Sequence, residues 1–336
     1  MRKISSLSAV VVACTLALAG CGGDDDSTPV PIPPQPTLTT ITEANAAQVS
    51  SVVYQAASVL FEVASSSGVL PIGVVASGTS ASPGSGLGLV SFAAAQLKAV
   101  TSRTLPSASV AVGAVYQETF ACSGGGTVTE RFDDADNSGG ESIGDSLTLT
   151  FANCTEEGQT ANGVLSFKLT AISGAAIGGQ ATFGNFVLND GTDEIRADGG
   201  FNLTITQNPG VSEVYDIAGE RLVSALNGDE HTLTGFSGSA ARDFALGTVT
   251  YTFKGGVSDS SNGIAVNAET VKAFVANTLD DYPGSGALRS IGAGNSQALL
   301  EAVSSTLVRI SADPDGDGIF TAPVEWSWSA LEALPD

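Results

Sequence analysis

From about Ser107 onward the apolar residues of this chain recur at every second position, and that period suits β-strands alone. Such runs lie at Val110–Phe120, Thr127–Phe132, Ser146–Asn153, Val164–Ile172, Ala181–Leu188, Gly200–Gln207, Val214–Val223, His231–Phe236, Thr248–Phe253 and Leu307–Ser311. Asn-Gly, Asn-Asp-Gly and Gly-Gly clusters separate them, and links this short join only antiparallel neighbours. Asn162-Gly163 and Asn227-Gly228 read as two-residue turns. Ala265–Leu279 and Ser296–Ser304 suit either period and are read as strands, because Leu307–Ser311 needs a partner. Forty glycines and a Val, Thr and Ala-rich composition agree with short strands and turns. Twist accumulates over ten or more strands, so the expected fold is mainly β: a large curled antiparallel meander, as half-barrel, barrel or sandwich.

Before this region the period is 3.6. Val49, Val52, Val53, Ala56, Leu60 and Val63 form one apolar stripe after Thr40-Ile41-Thr42-Glu43, which has the form of a capping box. A helix over 42–66 follows, with a Ser/Gly/Pro loop at Gly78–Gly88 and a second helix near Leu89–Thr101. N-terminal helices covering the sheet are therefore expected. The domain reading is 37–106 helical and 107–336 antiparallel β.

The stretch Cys122–Cys154 combines a hairpin with chemistry. If Phe132 lies opposite Leu147, Val128 faces Phe151 and Cys154 arrives beside the Ser-Gly-Gly-Gly turn after Cys122, so a disulfide forms locally. Within its tip, Asp134, Asp136, Ser138, Gly139 and Asp145 occupy positions 1, 3, 5, 6 and 12 of a twelve-residue segment, the spacing that wraps oxygens around calcium. The segment resembles calcium loops of the EF-hand and dockerin type. That resemblance implies side-chain oxygens from Asp134, Asp136 and Ser138, the carbonyl of Gly140, a water-mediated contact at Ser142 and closure by Asp145. It departs from the pattern in its strand flanks, in Glu141 where a hydrophobic residue belongs, and in the short Asp145. The pattern returns at Asp313, Asp315, Asp317 and Gly318, although position 12 there is Val324. The alternative for both segments is a solvated Asp-Gly turn.

The first 21 residues carry Arg2 and Lys3, an apolar run through Ser8–Leu18, and Leu18-Ala19-Gly20-Cys21. This resembles a bacterial lipoprotein signal, which implies cleavage after residue 20 and acylation of Cys21. Gly22, rather than Asp, follows the cysteine, which by that resemblance points to the outer membrane. Residues 21–36 then form a lipidated Asp/Pro-rich tether. On this reading Cys14 departs and Cys21 carries lipid, leaving Cys122 and Cys154 to pair in an oxidising compartment. The acidic loops and a DxDGDG segment before a tryptophan also resemble a type of tethered Gram-negative lipoprotein without established activity.

The charge is −22 from 13 basic and 35 acidic residues; without residues 1–20 it becomes 11 − 35 = −24. That balance excludes nucleic-acid partners, whose phosphates it repels. Catalytic residues are not expected: His231 is the only histidine and reads as a surface or edge residue, and no GxSxG, HExxH or phosphate loop occurs. Trp326 and Trp328, two apart on one strand face, read as sealing the core end or, alternatively, as a sugar-stacking platform. The functional expectation is a non-catalytic, lipid-anchored envelope protein with calcium-stabilised loops, binding envelope proteins or glycans. A carrier of an apolar ligand and a hydrolase using a carboxylate pair are the alternatives.

Overall fold

The computed structural model describes residues 37–65 and 115–334, apart from 137, 139–141, 157 and 190. The chain divides into two compact units, Met1–Gln35 and Pro36–Asp336, and every element described here belongs to the second. The second-helix region, the 78–88 loop, Gly140 and Cys21 lie outside the described residues.

Fourteen strands form one antiparallel sheet in sequence order, each hydrogen-bonded to the next: β1 Val115–Ala121, β2 Thr127–Asp133, β3 Ser146–Glu156, β4 Gln159–Ser173, β5 Ala176–Asn189, β6 Glu194–Asn208, β7 Ser212–Leu226, β8 Asp229–Asp243, β9 Thr248–Asp259, β10 Ile264–Asn277, β11 Ser285–Ile291, β12 Gln297–Ser304, β13 Leu307–Asp313 and β14 Val324–Ser327. The sheet is not closed: β1 and β14 are its edges. The meander stands, while a closed barrel or a two-sheet sandwich does not. One end of the sheet, the upper rim, carries the β1–β2, β3–β4 and every second later connection through β13–β14. The lower rim carries β2–β3 and the alternate connections through β12–β13.

Several of the long strands change the parity of their core-facing residues at a bulge. In β7 the core residues Tyr215 and Ile217 are odd-numbered, yet Leu222, beyond the bulge, is even-numbered. β8 makes the complementary change between Leu233 and Phe236, and β5 between Phe183 and Phe186. Asn162-Gly163, expected as a turn, lies inside β4 at a register shift against β5; the turn comes at 157–158. Gly163 has φ 98° there, and a Cβ would sit 2.3 Å from the Asn185 carbonyl oxygen, so only glycine fits. Asn227-Gly228 is the expected two-residue turn, with φ 53° and 97°.

Helix α1, Ala46–Ser65, packs on β7–β9 and β11–β13. Val49 and Val53 are fully buried and Val52 and Ala56 nearly so, as the stripe requires; Ala57, outside it, is buried too. The cap differs from the sequence expectation: Thr42 and Asn45 hydrogen-bond reciprocally, the Thr42 N–H donating to Asn45 Oδ1 at 2.7 Å, and Thr40/Glu43 form no box. N-terminal helices covering the sheet are not borne out, since α1 alone is described and it meets only part of the sheet. Thr39 enters at the upper rim, donating to the Ala265 carbonyl and accepting from Ala293.

Trp326 and Trp328 do not share a strand face. β14 stops at Ser327, and Trp328 opens a short helix α2, Trp328–Glu332, capped by Ser327. Trp328 is 1% exposed, stacks on Tyr282 at 5.5 Å and lies 4.5 Å from Tyr54 of α1, while Trp326 is half-buried. Strand β11 was not foreseen. The Gly284-Ser285-Gly286 run at its start hides the period that Ala287 and Leu288 contribute to the core.

Gly163→Ala is expected to cost about 3 kcal/mol or more, from φ strain plus a backbone clash, against about 1 kcal/mol for Gly228→Ala, whose Cβ meets open space. Urea unfolding of both variants measures the difference.

Candidate functional site

The register of β2 and β3 pairs Phe132 with Leu147 and Val128 with Phe151. It places Cys122 and Cys154 in a disulfide, with Cα atoms 5.4 Å apart. The turn it braces is held by N–H donation from Gly124 to Thr155 O at 2.8 Å and from Thr155 to Gly125 O at 2.9 Å. Ser123 donates its N–H and hydroxyl to Glu156, and these bonds hold that carboxyl below the usual carboxylate range. Because the sulfurs are bonded to each other, the Cys122, Cys154 and Glu156 grouping offers no thiolate ligands.

At the lower rim the β2–β3 loop brings Asp134, Asp136 and Asp145 together, with one carboxylate oxygen of each within 4.8 Å of the others. Asp145 is 1% exposed and organises the loop. It accepts the Ala135 N–H at 2.9 Å, the Ser142 N–H at 2.6 Å and the Ser142 hydroxyl at 2.9 Å. The Ser138 hydroxyl, then the Ser142 hydroxyl and the Ser138 N–H, lower the pKa of exposed Asp136. Ser138 therefore sits in the cluster, as expected, and its N–H also faces Asp134 and Asp136.

At the upper rim Asp313 is fully buried while Asp315 and Asp317 are exposed, and the three again lie within 4.8 Å. Asp313 Oδ1 accepts from Gly316 at 2.9 Å and Asp317 at 3.2 Å, and Oδ2 accepts from Gly318 at 2.9 Å. Three N–H groups thus compensate a charge removed from water. Gly316, with φ 72°, packs on Asn295, where a Cβ would stand 2.8 Å from the carbonyl oxygen. Every acidic residue singled out by spacing is thus gathered into one of two trios, at opposite ends of the sheet.

The position of His231 differs from the sequence expectation. It lies on central strand β8, opposite Ser224 of β7 and Asp259 of β9, with Nδ1 3.8 Å from Asp259 Oδ2. Only pairing register reveals this Ser–His–Asp row, since the three are scattered over 36 positions. Among the described residues no hydrogen bond joins Ser224 to His231. Asp259 instead folds the β9–β10 turn, accepting from the Ser261 N–H at 2.9 Å, the Ser261 hydroxyl at 2.5 Å and Asn262 Nδ2 at 2.9 Å. Burial opposes its charge, yet these donors and His231 hold its pKa below the usual value.

The outer face of β6–β10 carries a groove of about 560 Å³ that sequence reading missed. Asn202, Ser237, Lys254 and Glu269 line it in a row set by pairing, and Thr204, Asp216 and Thr252 line the next. Glu269 is held below the usual range by its hydrogen bond to Arg289. Hydroxyl, amide and both signs of charge suit a polar ligand. Comparison with family models, with curated proteins and with solved structures finds no match.

Asp313→Ala leaves three N–H groups without their acceptor and is expected to cost about 3 kcal/mol by urea unfolding, whereas exposed Asp315→Ala costs less than about 0.5 kcal/mol. Asp136, Glu156, Asp259 and Glu269 all have depressed folded-state pKa values, so their stabilisation is complete above the unfolded carboxylate range near 4 and is lost as pH falls through the folded values. Equilibrium unfolding from pH 7 to pH 2 should decline on the acid side, and Asp259→Asn should make that decline shallower.

Proposed function

We propose that this chain is a lipid-anchored cell-envelope protein, acylated at Cys21, whose sheet coils about α1 as a non-catalytic binding or structural module with calcium-braced loops. The observation that carries the reading is the convergence of Asp134, Asp136 and Asp145 on one point of a disulfide-framed hairpin. Carboxylates this close repel one another, and a hard divalent cation with oxygen ligands relieves that repulsion. The Asp313, Asp315 and Asp317 trio supports a second such position. The disulfide fits an oxidising compartment, in keeping with the lipoprotein-like N-terminus. Its partners are then the membrane, through acyl chains on Cys21, and envelope proteins or glycans, for which the groove beside Lys254 and Asp216 offers hydrogen-bonding partners. The location is the outer membrane.

Thermal melting with calcium and with EDTA tests the cation. For a site of about 1 mM affinity, 10 mM calcium stabilises by about 1.4 kcal/mol, which raises Tm by about 3–6 °C, and Asp136→Asn abolishes most of the rise. Equal Tm values in calcium and EDTA remove the ion from the reading. Acylation is tested separately by mass spectrometry of the mature N-terminus, which Cys21→Ser would leave without lipid.

A further inference from the structure

The two rims differ in kind. Each of the six lower-rim connections carries an exposed apolar side chain in it or within two residues of it: Ile143 at β2–β3, Ile172 at β4–β5, Val211 at β6–β7, Phe244 and Leu246 at β8–β9, Leu279 at β10–β11 and Val303 at β12–β13. Leu246 is 72% and Leu279 95% exposed. By the same criterion the described upper-rim connections carry Phe120 at β1–β2 and Ile319 and Val324 at β13–β14, so two of seven connections are marked there against six of six below. The remaining exposed large apolar residues lie in edge strand β1 or in the bulged part of β10. Nothing in turn chemistry requires the lower set. The β8–β9 turn, for example, is held by Asp243 Oδ1 accepting from Ala245 at 2.8 Å and Leu246 at 2.9 Å, with the leucine side chain left outward.

We propose that the lower rim docks on a lipid bilayer, its hairpin tips entering the interfacial region. Single apolar side chains on separate tips make no continuous patch of the kind a protein partner packs against. A fluid apolar phase reaches them all. Arg242 stacks on the Phe244 ring at 5.2 Å, placing a cation where phosphate headgroups would lie, while neighbouring Asp243, Asp280 and Asp281 oppose a strongly anionic surface. A zwitterionic bilayer is therefore the occupant. The proposal does not rest on the acylation proposed above.

The test uses the Pro36–Asp336 unit, which holds the whole described core, sheet and disulfide and carries no lipid. Leu246→Cys, or Asp229→Cys on the upper rim, is labelled with a polarity-sensitive fluorophore and mixed with phosphatidylcholine vesicles. The expected result is a blue shift for the label at 246 and none at 229. Leu246→Asp combined with Leu279→Asp should weaken co-sedimentation with the vesicles by about ten-fold or more at unchanged Tm, because both side chains are exposed. No shift at 246, an equal shift at 229, undiminished co-sedimentation of the double variant, or a shift that follows protein concentration without vesicles overturns the proposal; the last assigns the rim to a second copy of the chain. Absence of lipid on Cys21 would be read by mass and leaves this result untouched.

Discussion

The structure depends on keeping one face of a very wide sheet apolar along strands of up to 15 residues. A one-residue slip sends a whole run of side chains to the wrong side, and strands of 14–15 residues give many chances for it. The bulges between Phe183 and Phe186 in β5 and between Thr234 and Ser237 in β8 change the parity where it is needed. Leu165, Phe183, Phe201, Tyr215, Leu233 and Tyr251 consequently join one core across six strands, and Tyr54, Phe274 and Trp328 extend it to α1 and α2. Bulges also border the polar groove of the outer face, where Asn202, Ser237 and Glu269 are bulge-flanking residues.

Much of this was legible because its signals are local. Alternation set the strands, and pairing Phe132 with Leu147 was sufficient to bring Cys122 to Cys154. What escaped is set by long-range packing. The same Asn-Gly dipeptide makes a turn at 227–228 and lies inside a strand at a register shift at 162–163, because Gly163 packs on Asn185 of the next strand. Trp328 left its strand for α2 because Tyr54 and Tyr282 offer it a closed aromatic site. His231 read as a surface or edge residue, and its row escaped because its neighbours Ser224 and Asp259 are distant in sequence and adjacent only through register. The acidic trios were found by spacing alone, since a twelve-residue loop closes on itself whatever its flanks do.

Charge and apolar surface are distributed by the topology. Alternate connections of a meander fall at alternate ends, so one set of tips can remain polar while the other gains isolated hydrophobes. The lower rim has done so. An acidic trio marks each end, and the disulfide braces the upper end of the hairpin whose lower tip holds Asp134, Asp136 and Asp145. Hairpin tips and the outer face thus carry the acidic trios, the exposed apolar side chains and the polar groove, while the inner face is given over to packing.

That division requires the inner face, α1 included, to behave as one cooperative core. Native-state amide hydrogen exchange of α1, β8 and β9 under increasing denaturant measures this directly. The account predicts that Val49, Val53 and Ala57 open with the same free energy as Ala240 and Tyr251, and that their exchange merges into one global unfolding. Exchange of the α1 amides through a separate opening, several kcal/mol below that of β8 and β9, would contradict it.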